Sequence, residues 1–342
     1  MDNLPFISII IPCRNEEAHI GKCIDSIIQN DYPKDRLEVF VVDGSSDDNS
    51  KKVVQEYCDK TDFIKLFDNQ KKIVSSALNI GLKEAKGELI MRLDAHSTYG
   101  KNYISLCVQH HGENDVDNVG GPIITLPGSD TPIGKAIALG ISHPFGVGNQ
   151  YCRIGAKEKM FVDTVTFGCY KRTVFDRIGL FDETLIRNQD DEFNLRLIKN
   201  GGKILLVPEI LVYYIARDSL LKLWRMYYQY GYFKPLVAMK LGSVLTWRQL
   251  VPPLFVGILG LTAILSPIIK YSAWLFCLIF FSYLLADIVF AYKSARKKGL
   301  RCVFSLFFVF PILHFSYGLG YLKGIIDFAL LNKTIKDLPI NR

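Results

Sequence analysis

A chain of 342 residues with 49% hydrophobic and 22% charged side chains is ordered, long enough for one large domain or two smaller units, and excludes a disordered protein. Its net charge of +7 is unevenly spread: residues 1–248 carry 31 basic and 31 acidic side chains, whereas residues 249–342 carry 10 and 3. A neutral body followed by a basic, apolar last quarter suits a membrane surface and argues against nucleic acid as a partner. The eight cysteines form no Cys-x-x-Cys pair and no His/Cys cluster with zinc spacing, so they read as reduced, mostly buried thiols of a cytosolic compartment. The opening MDNLPFISIIIPCRNEE lacks a basic leader and a long apolar run, and does not read as a signal peptide.

The first hundred residues alternate between two periods. Ile7–Ile11 is a β-branched run. Residues 18–29 place Ile20, Cys23, Ile24, Ile27 and Ile28 at helical spacing. Leu37–Val42 is a second strand, closed by the turn DGSSD. Lys51–Cys58 is helical, Phe63–Phe67 a weaker strand, Val74–Ala85 a helix and Glu88–Leu93 a strand. This rhythm predicts an α/β fold with a mainly parallel sheet covered by helices, and such sheets bind ligands beyond the carboxyl ends of their strands. The polar groups at those ends are Pro12-Cys13-Arg14-Asn15-Glu16, Asp43 and Asp94-Ala95-His96. Residues 100–215 are less regular, with glycine-containing loops at GGPI, HPFGVGNQ and FVDTVTFGC, then RNQDDEFNLRLIKNGG, which opens a helix at its acids.

Three apolar runs follow. Val251–Ile269 is 19 residues without charge, Ser272–Tyr292 has 21 residues and one charge, Asp287, and Cys302–Leu322 has 21 and none with His314 neutral. Each is long enough for a hydrocarbon core of roughly 30 Å, which takes about 20 helical residues. The five basic residues of KSARKKGLR between the second and third runs point to the cytoplasm, which places residues 1–248 there too. The third run spans or re-enters, since the tail after it holds Lys323, Lys333, Lys336 and Arg342.

Each polar motif has two readings. IIPCRNEE is a ligand edge, or a strand end with an Asn15 cap. VVDGSSDD offers Asp43 to a base, or is a capped turn. Asp94 and His96, two apart on an extended chain, point the same way and suit Mn2+ or Mg2+, or they are a strand-end turn. Asp190 and Asp191 form a general-base pair, or favour a helix dipole. Basic and aromatic residues alternate in KLWRMYYQYGYFKP, so Arg225 and Lys234 face phosphates, or the segment lies in the membrane interface.

The order of these motifs resembles the family 2 glycosyltransferases of the GT-A fold over about residues 5–240: IIPCRNEE, VVDGSSDD, SSALNIGLKEAKGELIMRLDAH and NQDDEFNLRL. FGVGNQ, DTVTFGC, YYQYGYFK and TWRQLVPP are similar to the succinoglycan-type exopolysaccharide enzymes. The resemblance implies a cytoplasmic GT-A nucleotide-sugar domain over 1–215 with helices on both sheet faces. An interfacial helical segment over 216–248 and a membrane domain of two to three helices over 249–342 follow it. It implies a UDP-sugar donor, a lipid-linked saccharide acceptor, a divalent metal (Mn2+ or Mg2+) and other polysaccharide-assembly proteins as partners. Pro12, Arg14, Glu16 and Asp43 then belong to the nucleotide site, Asp94 and His96 to the metal, and Asp191, paired with Asp190, is the base. Here His96 stands where the family's Asp-x-Asp has its second acid. A Gln-x-x-Arg-Trp processivity motif is absent, which implies addition of a single sugar. The alternatives are a polyprenyl-phosphate glycosyltransferase and a non-catalytic membrane scaffold of the same fold.

Overall fold

The computed structural model describes residues 4–242 and 246–333, so Lys336 and Arg342 of the basic tail lie outside the described residues. The first elements are β1 (Ile7–Cys13), α1 (Ile20–Ile28), β2 (Leu37–Asp43), α2 (Ser50–Cys58), β3 (Ile64–Asp68), α3 (Val74–Glu84) and β4 (Leu89–Arg92), as the two periods predict. Every residue of β2 and β4 is buried, and all of β1 except Pro12. Alternate strand residues face opposite sides, so continuous burial means that both faces of this part of the sheet are covered. The predicted stripe of α1 is its buried side, at Ile20, Cys23, Ile24 and Ile27.

The middle of the chain adds β5 (Ser97–Tyr99), α4 (Tyr103–Glu113), β6 (Asn118–Gly120), β7 (Ile123–Leu126), α5 (Pro132–Gly140), α6 (Pro144–Val147), α7 (Tyr151–Ile154) and β8 (Met160–Phe161). Then come β9 (Cys169–Lys171), α8 (Arg172–Ile178), α9 (Gln189–Lys199), β10 (Ile204–Leu206), β11 (Val212–Ile215) and α10 (Leu220–Leu241). The main sheet has the order β3-β2-β1-β4-β9-β6-β10-β8. The pairs β3-β2, β2-β1, β1-β4 and β6-β10 are parallel, and β9 enters antiparallel between β4 and β6. A small second sheet has the order β5-β11-β7.

The chain forms two compact units. One runs to Ile124 and resumes over Ile154–Tyr214; the other takes Thr125–Arg153 and the chain from Ile215 onward. In the first unit the register brings the carboxyl ends level: Cys13 pairs with Asp43, and Asp43 with Asp68. Beyond Ile10 and Arg92, which also pair, the Leu93 amide donates to the Ile10 carbonyl at 3.0 Å. At the opposite end, buried Glu38 accepts from the Ser8 hydroxyl and from the Lys86 amide, which fixes where β4 begins.

The second unit holds α11 (Val251–Leu265), α12 (Lys270–Ala295) and α13 (Leu300–Gly324); with the turns that adjoin them they form three helical stretches, Trp247–Leu265, Lys270–Lys298 and Leu300–Leu330, apolar and long enough to cross a membrane. The first stops at Leu265 rather than Ile269, because Pro267 has no amide to donate to the carbonyl one turn back and so cannot continue the helix. On α12, Trp274, Leu278, Phe281 and Leu285 stand exposed at i, i+4, i+7 and i+11, one stripe suited to lipid. α10 and α13 approach closely through glycine. A Cβ on Gly231 would lie 2.1 Å from the Tyr317 carbonyl oxygen, and one on Gly320 or Gly324 2.2 Å from the carbonyls of Tyr228 or Tyr232. The HPFG loop is pinned by His314: its Nε2 is 2.7 Å from the Phe145 carbonyl and its Nδ1 is 2.8 Å from the Tyr283 hydroxyl. A carbonyl only accepts, so Nε2 carries the proton and Nδ1 accepts from tyrosine.

Gly81 seats α3 on β1. A Cβ there would come within 2.5 Å of Cγ2 of Ile10. Alanine gains up to about 1 kcal/mol of helix propensity, whereas overpacking costs about 1–3 kcal/mol. Gly81→Ala is expected to destabilise the first unit by about 1–2 kcal/mol. An unchanged or raised denaturation midpoint contradicts this packing.

Candidate active site

Two loops leave the sheet side by side, after β1 and after β2, and side chains stitch them together. Asn15 adopts the left-handed conformation, φ 54°, which asparagine tolerates. Its amide donates to Ser46 Oγ at 3.0 Å and its Oδ1 accepts from the Asp47 amide at 2.8 Å. The Glu16 amide donates to Ser50 Oγ at 2.7 Å, and Glu17 accepts from the Asn49 amide at 2.9 Å. Asp43 is buried and holds its own turn, accepting from the Ser46 amide at 3.0 Å and from its hydroxyl at 2.5 Å. Arg14 Nη2 lies 4.0 Å from Asp47, and half-buried Pro12 pairs with Val42 in the ladder. Burial, then the charges of Asp43 and Glu16, push the Cys13 thiol far up, so the thiol stays protonated beside this acidic edge.

The end of β4 meets these loops. The Asp94 amide donates to Tyr99 Oη at 2.7 Å, and the Asp94 carbonyl accepts from Cys23 Sγ at 3.4 Å, so the backbone is held by β5 and α1. His96 Nδ1 sits 3.1 Å from Asp94 Oδ1 and 3.3 Å from Glu16 Oε1, in line with neither for a hydrogen bond. Its ring meets Tyr214 edge-on at 5.2 Å. Arg92 Nη2 lies 3.6 Å from Asp94 Oδ2. Burial works against both charges, but the carboxylates of Asp94 and Glu16 outweigh it and push His96 up to about 10. Burial likewise opposes the Asp94 charge, yet His96 and Arg92 hold its carboxyl well below the usual range.

The acidic motif opens α9, entered through Asn188 at φ 61°. Phe193 stacks on Phe181 at 4.3 Å and on Phe175 at 5.1 Å. Buried Asn194 accepts from Tyr170 Oη at 2.9 Å and Asn118 Nδ2 at 3.1 Å, and donates to Thr164 Oγ1 at 2.8 Å. These bonds tie α9 to β6, to β9 and to the loop before β9. Glu192 is locked in a fork with Arg196, at 2.7 and 2.9 Å, and is structural. Asp190 and Asp191 are half-buried, with Asp190 Oδ1 accepting from the Asp191 amide at 3.1 Å. The charge of Asp190 acts on Arg92 and on Tyr170.

Of the residues singled out in the sequence, Glu16, Asp94 and His96 therefore meet directly, Asp43 lies in the adjoining loop, and Asp190 shares Arg92 with Asp94. Exposed Arg225 and buried Lys234 lie on α10, in the second unit. Arg92 was missed. Its signal was a lone cation in the apolar run GELIMRLDAH. Asn194 was missed because an asparagine in NQDDEFNLRL reads as surface.

Asn194→Ala is expected to leave Tyr170, Asn118 and Thr164 without a shared partner. The cost is about 1–3 kcal/mol, read as a lower unfolding midpoint. An unchanged midpoint contradicts the role of Asn194 as the seat of α9.

The sequence profile described as Glycosyl transferase family 2 matches residues 8–179. Among curated proteins, a dolichyl N-acetyl-alpha-D-glucosaminyl phosphate 3-beta-D-2,3-diacetamido-2,3-dideoxy-beta-D-glucuronosyltransferase of Methanococcus voltae is 31% identical, over 94% of this chain and 97% of that protein. The succinoglycan biosynthesis protein ExoA of Rhizobium meliloti is 27% identical, over 71% of this chain and 73% of its own. Two solved structures share the fold: the mannosyltransferase PcManGT of Pyrobaculum calidifontis with GDP-Man and Mn2+, and S. aureus TarS 1–349 with UDP. The first has a TM-score of 0.58 and 16% identity, covering 94% of this chain and 88% of that one. The second has a TM-score of 0.51 and 17% identity, covering 96% and 92%. The sheet is thus that of a GT-A domain, and the chain belongs to glycosyl transferase family 2.

Proposed function

We propose that the protein is an inverting glycosyltransferase that moves one sugar from a UDP-sugar to a lipid-linked saccharide at a membrane, in exopolysaccharide or capsule assembly. The observation that carries this reading is the meeting of Glu16, Asp94 and His96 beyond the carboxyl ends of β1 and β4. The Methanococcus relative, named for a dolichyl-linked saccharide acceptor, and the succinoglycan relative agree with it.

The residues present fit a divalent cation. Neighbouring ligands of an octahedral ion with bonds of about 2.1 Å stand roughly 3.0 Å apart, and Asp94 Oδ1 and His96 Nδ1 are 3.1 Å apart. Among the described residues no three His, Cys, Asp or Glu side chains form a metal-binding group, so these two would share the ion with oxygens of the nucleotide and water. His96 gives up its proton to ligate. When bound, the cation supplies positive charge against the diphosphate of the leaving nucleotide.

The side chains of the chain do the rest. Asp43 holds the turn that faces the base, and Pro12, Arg14 and Glu16 shape the adjoining nucleotide edge. Asp191, next to Asp190, takes the proton of the acceptor hydroxyl, whose oxygen attacks the anomeric carbon from the face opposite UDP. One base suffices, and configuration inverts. The basic turn from Lys293 to Arg301 faces the cytoplasm, with residues 1–248 on the same side, and α11, α12 and α13 keep the enzyme at the leaflet that holds its acceptor.

Asp191→Asn is expected to lower turnover by about 10²–10⁴-fold while UDP binding persists. Loss of UDP binding in that variant would make Asp191 a nucleotide or scaffold residue instead. His96→Ala is expected to weaken Mn2+-supported UDP binding at least about tenfold, toward the level of the wild type in EDTA; wild-type affinity of the variant in Mn2+ contradicts the metal pair.

A further inference from the structure

The mechanism above leaves a buried cation of the first unit unused. Arg92 closes β4 with 8% of its surface exposed. Its strand neighbours Leu89, Ile90 and Met91 are apolar core, and nothing in the ladder needs a charge there. The guanidinium carbon lies 5.2 Å over the Phe167 ring, and Nη2 reaches Asp94 Oδ2 at 3.6 Å. Nε and Nη1 are buried with no acceptor among the described residues. Burying a guanidinium is costly unless it meets carboxylates, so its place in the sheet is explained by the acids it faces. Arg92 and Asp94 are two apart on an extended chain and therefore project to the same side.

Asp94 thereby has a different partner at each oxygen. Oδ1 stands beside His96 and Oδ2 beside Arg92. A carboxylate with one anchored oxygen loses its free rotation and presents the other in a fixed direction. We propose that Arg92 is a positioning residue for nucleotide binding: it holds Oδ2 of Asp94 so that Oδ1 and His96 Nδ1 face the metal–nucleotide together. Its planar fork and Phe167 keep the guanidinium itself in place, which a lysine at this site would do only in part. The inference rests on the glycosyl-transfer reading, which makes Asp94 the donor-side carboxylate.

The test is the Mn2+-supported affinity for UDP of the full chain in detergent, measured by calorimetry for wild type, Arg92→Met and Arg92→Lys, with a melting curve for each. Methionine is chosen because it keeps the unbranched apolar stem of the arginine and removes the charge; Asp94 keeps His96 as a partner, so the variant loses stability without losing the fold. The expected result is that both variants keep a cooperative melting transition, lowered in Arg92→Met, that Arg92→Met binds UDP at least about tenfold more weakly at a temperature where it is folded, and that Arg92→Lys recovers part of the loss, in the range of other residues that orient metal ligands. Wild-type affinity in a folded Arg92→Met variant overturns the proposal. Loss of the melting transition in both variants overturns it too, and assigns Arg92 to the scaffold. Wild-type protein that binds no UDP removes the glycosyl-transfer reading itself, and this inference with it.

Discussion

The charge of Asp94 sits at the end of a strand buried on both faces, and it persists there because two cations meet it. Arg92 takes one oxygen and His96 the other, while Tyr99 and Cys23 hold the backbone. Burial alone would raise the pKa of a carboxylate in this place, and a protonated acid is a poor metal ligand. Around this group the loop after β1 brings Glu16 to the same His96 nitrogen that faces Asp94, and the parallel register levels the ends of β1 and β2 beside it.

The same logic separates scaffold from chemistry along α9. Three acids stand in a row, and local environment decides among them. Glu192 is spent on Arg196 inside the helix, whereas Asp190 and Asp191 remain half-buried at the helix start. The helix is held by Asn194 and the stacked rings of Phe175, Phe181 and Phe193, so the acids of its first turn are placed by the side chains packed behind them. In the second unit glycines perform the equivalent task. Gly231, Gly320 and Gly324 let α10 and α13 touch backbone to backbone.

How much was legible in the sequence follows from the length of the signals. β1 to β4 and the helices between them repeat a clear period, so Ile20, Cys23, Ile24 and Ile27 were readable as a buried face. The polar strand ends were readable for the same reason, and Glu16, Asp94 and His96 do converge. Strands of two to four residues such as β6, β8 and β9 are too short to show a period, and their order in the sheet depends on contacts far apart in sequence. Arg92 and Asn194 were hidden because a polar residue in a strand or an acidic helix is uninformative until its neighbours are known. Asp43 folds onto Ser46, which is the capped-turn reading of VVDGSSDD, and its contact with a base belongs to the proposal.

The central claim is that Asp94 and His96 form a metal corner for a nucleotide. Its most direct test is calorimetry of UDP on the detergent-purified wild-type chain, first with Mn2+ and then with EDTA. The account predicts binding that requires Mn2+ and disappears on chelation. Binding that is indifferent to EDTA would contradict it, making His96 a metal-free contact and leaving the diphosphate charge to basic side chains alone.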